Sequence, residues 1–333
     1  MKKKIILLAA CVVVCLASWL GSYFLVGASV SGVVHLRAGS NLNTLRDSLG
    51  MVDATLARRV TTLMRLTGGD VSHRQGAFKI AKGQSAFAVM RHLRSGAADG
   101  VRFTFNNVRT TGEWAARWGA KFMAGEEAMK QTLADERLCD SLGFTPQSIA
   151  AMLLPDSYEF YWDITPAEML GKMKGYYDQF WNENRRGAAQ ALGLTPVDVS
   201  IIASIVEEET AKTDERGKVA RLYLNRLAAG MPLQADPTVK FALGDFSIKR
   251  LTAAMTRTES AYNTYRRTGL PPGPIRLPEK ATLDAVLKAP QHNYLYMCAK
   301  EDFSGYHNFA VDYASHQVNA RRYQAALDAR NIH

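Results

Sequence analysis

Three consecutive carboxylates, Glu207-Glu208-Glu209, close an otherwise apolar segment that runs Val197-Asp198-Val199-Ser200-Ile201-Ile202-Ala203-Ser204-Ile205-Val206. A carboxyl group set beside aliphatic side chains loses hydration, which disfavours its charged form and raises its pKa. Such a group still holds a proton near neutral pH and can act as a general acid, as cleavage of a glycosidic bond requires. Thr195-Pro196 supplies an N-cap and a first helical residue, so a helix is predicted with the carboxylates at its far end. Side chains three and four apart share a face. Lys212 lies four residues after Glu208 and three after Glu209, giving both a local cationic partner. Glu207 has none: Thr210 and Ala211 lie ahead of it, and Ala203 and Ser204, one turn behind, leave room for a ligand to approach. Helix spacing therefore selects Glu207 as the candidate acid, against the plain alternative of a solvated acidic helix end.

Downstream, Asn225-Arg226-Leu227, Leu233-Gln234-Ala235-Asp236-Pro237-Thr238, Tyr262-Asn263-Thr264-Tyr265 and Gly269-Leu270-Pro271-Pro272-Gly273 form polar, Gly/Pro-punctuated stretches. Rigid loops carrying such side chains suit a sugar cleft, where hydroxyl and acetamido groups need fixed donors and acceptors and ring faces need aromatics. Gln234, Asp236, Thr238, Tyr262, Asn263, Thr264 and Tyr265 are the candidate substrate-binding residues; structural turns capped by Asp236 and Thr264 are the competing reading. His307 and His316 stand nine apart with no H-E-x-x-H helix, so no metal site and no cofactor is expected, and a hydrogen-bonding role is preferred. Cys139 and Cys298 lie far apart in sequence without C-x-x-C spacing; an oxidising compartment would permit their pairing, and isolated thiols are the alternative.

These residues need a scaffold, and the chain has 333 residues, 47% of them hydrophobic, enough for two or three packed domains. The net charge of +10 suits an anionic surface, yet no basic run is interleaved with aromatics and no nucleic-acid motif is present. Met1-Lys2-Lys3-Lys4 precedes 22 uncharged residues, Ile5 to Val26. As a helix they would span about 33 Å, enough to cross a bilayer, with the basic head (1–4) inside and the body outside. A cleaved signal would show a shorter apolar run, and a lipidated Cys11 would be followed by polar residues rather than Val12-Val13-Val14. A transmembrane helix over 5–26 is therefore expected. Strand, Gly-Ser turn and helix then recur at Val33–Leu36, at Gly76–Ile80 and more loosely at Val101–Phe105, which groups 30–115 as small βα units. Residues 116–195 read as a mostly helical connection broken by an aromatic loop or strand around Tyr158-Glu159-Phe160-Tyr161-Trp162, and 196–333 as a mixed α/β domain with the acid on a helix. The expected class is α+β.

With Ala203-Ser204-Ile205-Val206-Glu207-Glu208-Glu209-Thr210, the Asn-Arg-Leu, Gln-Ala-Asp-Pro-Thr, Tyr-Asn-Thr-Tyr and Leu-Pro-Pro-Gly segments, His307-Asn308-Phe309, Ala314-Ser315-His316 and Pro155-Asp156-Ser157-Tyr158, the chain resembles the endolytic murein transglycosylases of the YceG-like family. The resemblance implies that 30–115 is a LysM-like glycan-binding region. It also implies cleavage of the β-1,4 bond between N-acetylmuramic acid and N-acetylglucosamine in nascent strands, leaving a 1,6-anhydro end. The first Glu of the motif, Glu207, is the residue it marks as catalytic. In that scheme Glu207 protonates the glycosidic oxygen, then takes the proton of the muramic C6 hydroxyl as this oxygen closes on C1. A bacterial inner-membrane location, an extracytoplasmic body, peptidoglycan strands as substrate and cell-wall synthases as partners follow from the resemblance as expectations. Thr111-Gly112 and Pro278-Glu279 depart from the family's usual Glu-Gly and Pro-Gly pairs. Two other functions stay open: a non-enzymatic glycan-binding scaffold, and a hydrolytic muramidase in which Asp236 supplies a second carboxylate.

Overall fold

A computed structural model describes residues 2–330, which form two compact units. Among the described residues the first comprises 2–103, 121–123 and 158–164, and the second 104–120, 124–157 and 165–330. Secondary structure is mixed α+β, with short two-stranded ribbons rather than one large sheet.

The first unit begins with α1 (Lys2–Leu25), the one helix among the described residues that is by itself long and apolar enough to cross a membrane, with a mean hydropathy of 2.5. β1 (Gly32–Leu36), α2 (Leu42–Gly50), α3 (Ala54–Leu66), β2 (Gly76–Ile80), α4 (Ala86–Ser95) and β3 (Val101–Phe105) follow. β1 and β2 pair antiparallel, Gly32 opposite Ile80 and Leu36 opposite Gly76. Val34, Leu36, Phe78 and Ile80 face a core completed by Leu45, Leu49, Val60, Met64, Val89 and Leu93 from the three helices. Two of the expected βα units thus share one core, with a helix between them that the repeat pattern did not announce. That helix, α3, is capped by Asp53, whose carboxylate accepts from the Thr55 and Leu56 amides, both at 2.9 Å.

β3 pairs with β4 (Asp156–Phe160), placing a strand in the aromatic stretch; both strands straddle the division between the two sets of residues. In the second unit come α5 (Thr111–Gly119), α6 (Gly125–Ala134), α7 (Glu136–Ser141), α8 (Pro166–Phe180), α9 (Glu183–Ala191), α10 (Pro196–Glu209), α11 (Arg216–Ala228), α12 (Asp236–Leu243), α13 (Lys280–Leu287), β5 (Tyr296–Ala299), β6 (His307–Ala310) and α14 (Tyr313–Asp328), with β5 antiparallel to β6. α10 is the unit's central helix. Thr195 and Asp198 form a reciprocal capping box at its start, with Pro196 at the first helical position. Every residue from Val199 to Glu207 is buried, so α10 has no solvated face; α9, α11, α12 and α13 pack around it. Its last turn runs from buried Glu207 to partly buried Glu208 and Glu209, where a carboxylate is favoured by a partner or tends to shed its charge.

Candidate functional site

The negative end of a helix dipole is an unfavourable place for three carboxylates. The second unit treats them in two ways. Glu207 is buried, its side chain 3% exposed. It accepts from Arg276 Nη2 at 3.1 Å, from Thr282 Oγ1 at 2.6 Å and from the Glu279 amide at 2.9 Å. Glu208 pairs with Arg276 Nη1 at 2.7 Å and with Arg109 Nη2 at 3.2 Å. One guanidinium thus bridges both carboxylates, a use of the planar fork that lysine could not reproduce. Arg276 is fixed in turn by Asn107 Oδ1 at 2.7 Å.

Glu209 has no such counter-ion. It accepts a single hydrogen bond from the Tyr223 hydroxyl at 2.9 Å, and burial raises its carboxyl to about 7. The phenol bond opposes the rise, and the neighbouring negative charge of Asp236 adds to it. Of the three carboxylates it is Glu209 that borders a cavity of about 370 Å³, formed with Tyr223 and Arg226 of α11, with Gln234 and Asp236 at the entry to α12, with Tyr265, and with His307 and His316.

Helix spacing misjudged the partners for two physical reasons. Thr210 leaves the helix with an extended backbone, φ −137° and ψ 130°, so Lys212 is not one turn beyond Glu208 or Glu209; its ammonium lies 4.8 Å from the Tyr306 ring instead. And Glu207, unpaired within its helix, takes Arg276 from 69 positions along the chain. The small side chains behind it do leave room, but for the protein itself. Ser204 Oγ accepts from the Ile275 amide at 3.0 Å and seats the segment that brings Arg276 to the carboxylates. Gly273, just before that segment, has no room for a side chain: a Cβ there would lie 1.9 Å from the Gln147 carbonyl oxygen.

Of the other sequence-selected residues, Gln234, Asp236 and Tyr265 line the cavity with Glu209. The Tyr265 hydroxyl donates a short hydrogen bond to Asp236 Oδ1, and burial together with that carboxylate pushes the phenol's pKa up. Gln234 occupies left-handed backbone at φ 53°, unusual for a non-glycine residue, and its amide donates to the Thr264 carbonyl at 3.0 Å. Thr238, Asn263 and Thr264 are buried beneath the cavity rather than on it. Thr238 Oγ1 meets Thr264 Oγ1 at 2.8 Å, Thr264 Oγ1 accepts from the Ala235 amide at 3.0 Å, and Asn263 donates to the Thr256 and Thr258 carbonyls. Together they lock the 234–238 and 256–265 segments to each other. Tyr262 packs on Phe241, ring centroids 4.7 Å apart, away from Glu209's cavity.

Tyr223 escaped sequence selection, and Arg226, His307 and His316 were quoted in the sequence without being given a place in the site. Tyr223 reads as an ordinary core aromatic one position from Leu222 and Leu224, and only the fold points its hydroxyl at Glu209. Arg226 lies three residues further on, just short of a full turn, and holds the cavity's edge by donating to the Leu295 carbonyl at 2.6 Å and the Leu233 carbonyl at 2.8 Å. His307 Nδ1 lies 2.7 Å from Glu215 Oε2 and His316 stacks on Tyr296, the rings 5.4 Å apart. Cys139 is a free buried thiol, and Cys298 is a free thiol in the cavity wall.

The model of the YceG-like family matches residues 34–322, a span that contains every residue of this site. The chain belongs to the YceG-like family. Among curated relatives, the endolytic murein transglycosylase of Bacillus subtilis is 26% identical over 292 residues, covering 81% of this chain and 79% of that protein. The endolytic murein transglycosylase of Streptococcus pneumoniae strain D39 is 34% identical over 110 residues, 32% of this chain and 20% of that protein. A YceG-like protein from Listeria monocytogenes, solved by crystallography, superposes with a TM-score of 0.57 at 21% identity, covering 86% of this chain and 98% of that one; at that identity the likeness concerns the fold.

Proposed function

We propose that this YceG-like protein is an endolytic lytic transglycosylase that cleaves the MurNAc-GlcNAc β-1,4 bond of peptidoglycan strands and leaves a 1,6-anhydro end, with Glu209 rather than Glu207 as its acid. The observation that carries the reading is the Glu209 carboxyl itself: raised to about 7, held by one neutral phenol and bordering the polar cavity. A group poised there gives its proton to the glycosidic oxygen and, as carboxylate, accepts the proton of the muramic C6 hydroxyl while that oxygen bonds to C1. The substrate supplies the nucleophile, so one carboxyl serves both steps. Glu207 and Glu208, neutralised by arginine, hold the helix end in place. Asp236, hydrogen-bonded by the Tyr265 hydroxyl, faces the positive charge that develops on the sugar ring, and Gln234 and Arg226 offer polar groups to the glycan. The names of the relatives support the substrate class, and α1 supports a single-pass anchor with the body on the extracytoplasmic side.

A hydrolytic muramidase is the second reading, favoured by one observation: Asp236 borders the same cavity and would be the second carboxylate. Digestion of uncrosslinked glycan strands by the soluble body, residues 30–333, followed by mass analysis of the ends separates them, because an anhydro end weighs one water less than a reducing end. Anhydro ends from the parent protein and none from E209Q are expected. Reducing ends would establish hydrolysis, and unchanged strands would leave a glycan-binding scaffold.

A further inference from the structure

The whole of the +10 net charge lies in the first 103 residues. The basic head contributes three, and residues 27–103 carry 11 basic against 4 acidic side chains, whereas residues 104–333 carry 27 of each. That basic unit is locked to the end of α1. Tyr23 is buried in the unit's core, and Gly21 and Ser22 are half-covered. The Phe24 and Phe87 rings pack with centroids 4.8 Å apart. The Gly83 amide donates to the Ala28 carbonyl at 2.9 Å and the Ala28 amide to the Gln84 carbonyl at 3.0 Å. A Cβ on Gly27 would lie 2.1 Å from the Gly83 oxygen, so the two backbones touch, and Ser29 is tied to Asp53 through its amide at 2.8 Å and its hydroxyl at 2.6 Å.

α1 is therefore a docked post. The unit covers it from about Gly21 outward, leaving residues 5–20, roughly 24 Å of helix, for a hydrocarbon core about 30 Å thick. In a bilayer this shortfall would draw the unit down into the headgroup layer. The residues at the junction suit that depth: Trp19 is half-exposed on the last free turn, in the position of an interfacial aromatic, and Phe24, Leu25, Val26 and Phe87 leave apolar surface outside the core. Beside them stand exposed Lys82, next to the touching Gly83, and exposed Arg91, one helical turn after Phe87 on α4. Among the described residues neither has a carboxylate within ion-pair distance. Arg91 borders an open groove of about 310 Å³ with Gln84, Ala88, His92 and Ser95.

We propose that the first unit is a leaflet-binding module: Phe87 enters the interfacial layer beside α1, and Lys82 and Arg91 bind the phosphates of anionic phospholipids. The proposal rests on α1 being a membrane anchor. That reading is tested separately, since an anchored chain stays in the membrane pellet after carbonate washing and an unanchored one does not. For the lipid site, the full chain is purified in micelles containing equal amounts of phosphatidylglycerol and phosphatidylcholine, and the retained lipids are quantified by mass spectrometry. Each basic side chain near an anionic surface multiplies binding about fivefold. Phosphatidylglycerol enrichment is therefore expected in the parent chain and is expected to fall roughly twenty-fold, or to parity, in K82E/R91E. R137E/R321E, an equal charge change at exposed positions of the second unit, should leave it intact, which also controls for lipid held by the basic head. Enrichment that survives K82E/R91E in a folded protein, or falls equally in both double variants, overturns the site. Millimolar inorganic phosphate should not displace the lipid; full displacement would show a phosphate pocket in place of a membrane-facing one.

Discussion

Exchanging the two candidate acids one at a time for their amides gives opposite results in stability and in catalysis. The Glu209 carboxyl stands at about 7 in the fold against an ordinary 4.5, so between those values the folded state binds a proton that the unfolded chain releases. Its contribution to stability is complete below pH 4.5 and is lost as the pH climbs through 7. The full shift corresponds to roughly 3 kcal/mol at 1.4 kcal/mol per unit, and access to cavity water reduces this to about 1.5 kcal/mol. E209Q cannot lose a proton. The parent protein should therefore lose about 3 °C more in melting temperature than E209Q between pH 5 and pH 8. E207Q behaves differently, because it removes a charge from the buried pair with Arg276; the amide still accepts from Thr282, placing the cost at the low end of such losses, about 3 kcal/mol, or at least ~6 °C. Anhydro-end formation should vanish in E209Q at every pH and persist in E207Q below its lowered melting point. Thermal melts at the two pH values and product mass spectrometry read both effects. A fully stable E207Q without product, together with an active E209Q, would refute the assignment and return the acid to Glu207.

Y223F removes the one hydrogen bond that favours the Glu209 carboxylate, so the alkaline limb of the rate profile should move to higher pH, as measured by initial rates of anhydro-end release. R276M leaves buried Glu207 without a cation and Glu208 with Arg109 alone, and should cost about 3–5 kcal/mol in denaturant unfolding, with R276K recovering only part because a lysine cannot span both. Y265F frees Asp236 from its phenol and should lower kcat more than it raises KM, since the bond it removes orients a group facing the reacting sugar. Q234G relieves the left-handed backbone and should gain up to about 1 kcal/mol in stability while weakening glycan binding, a trade visible as a higher melting temperature with a higher KM.

Local periodicity made the apolar helix α1, the first strands and α10 legible. Ile5 to Val26 needs no tertiary context to read as an apolar helix, and Thr195-Pro196 with Asp198 states where α10 begins. The partners of the three carboxylates were not legible, because Arg276, Thr282 and Tyr223 reach them across distances in sequence that no helical rule spans. The position of α3 was hidden for a different reason: the strand-turn-helix grammar of 30–115 is complete without it, and only the shared core of β1, β2 and α4 shows where Val60 and Met64 belong. The substrate-binding set divides along the same line. Residue type marks the 234–238 and 262–265 segments as polar and rigid, and the fold then gives Gln234, Asp236 and Tyr265 to the cavity and Thr238, Asn263 and Thr264 to the latch below it.

The placement of the arginines is the physical ground for proposing the last carboxylate of the three as the acid. Had Arg276 reached Glu209, the same guanidinium that settles Glu207 would have held Glu209 ionised and useless as a proton donor at neutral pH. Spent on Glu207 and Glu208, it pairs two charges at the helix end, and the Glu209 pKa, raised first by burial and then by the charges of Asp236 and Glu208, stops at about 7. The stopping point matters. A carboxyl raised much further would protonate the leaving oxygen poorly and would not give up its proton at all, whereas one near 7 can act first as acid and then as base. Two buried ion pairs contribute little to stability over an apolar replacement. Here they let a run of three identical residues hold two charges and one proton, which a Glu207→Gln/Glu208→Gln exchange would test: it loosens the hold on Arg276 at a cost in stability, and where the protein remains folded Arg276 turned toward Glu209 should draw its pKa, and the alkaline limb of activity with it, downward.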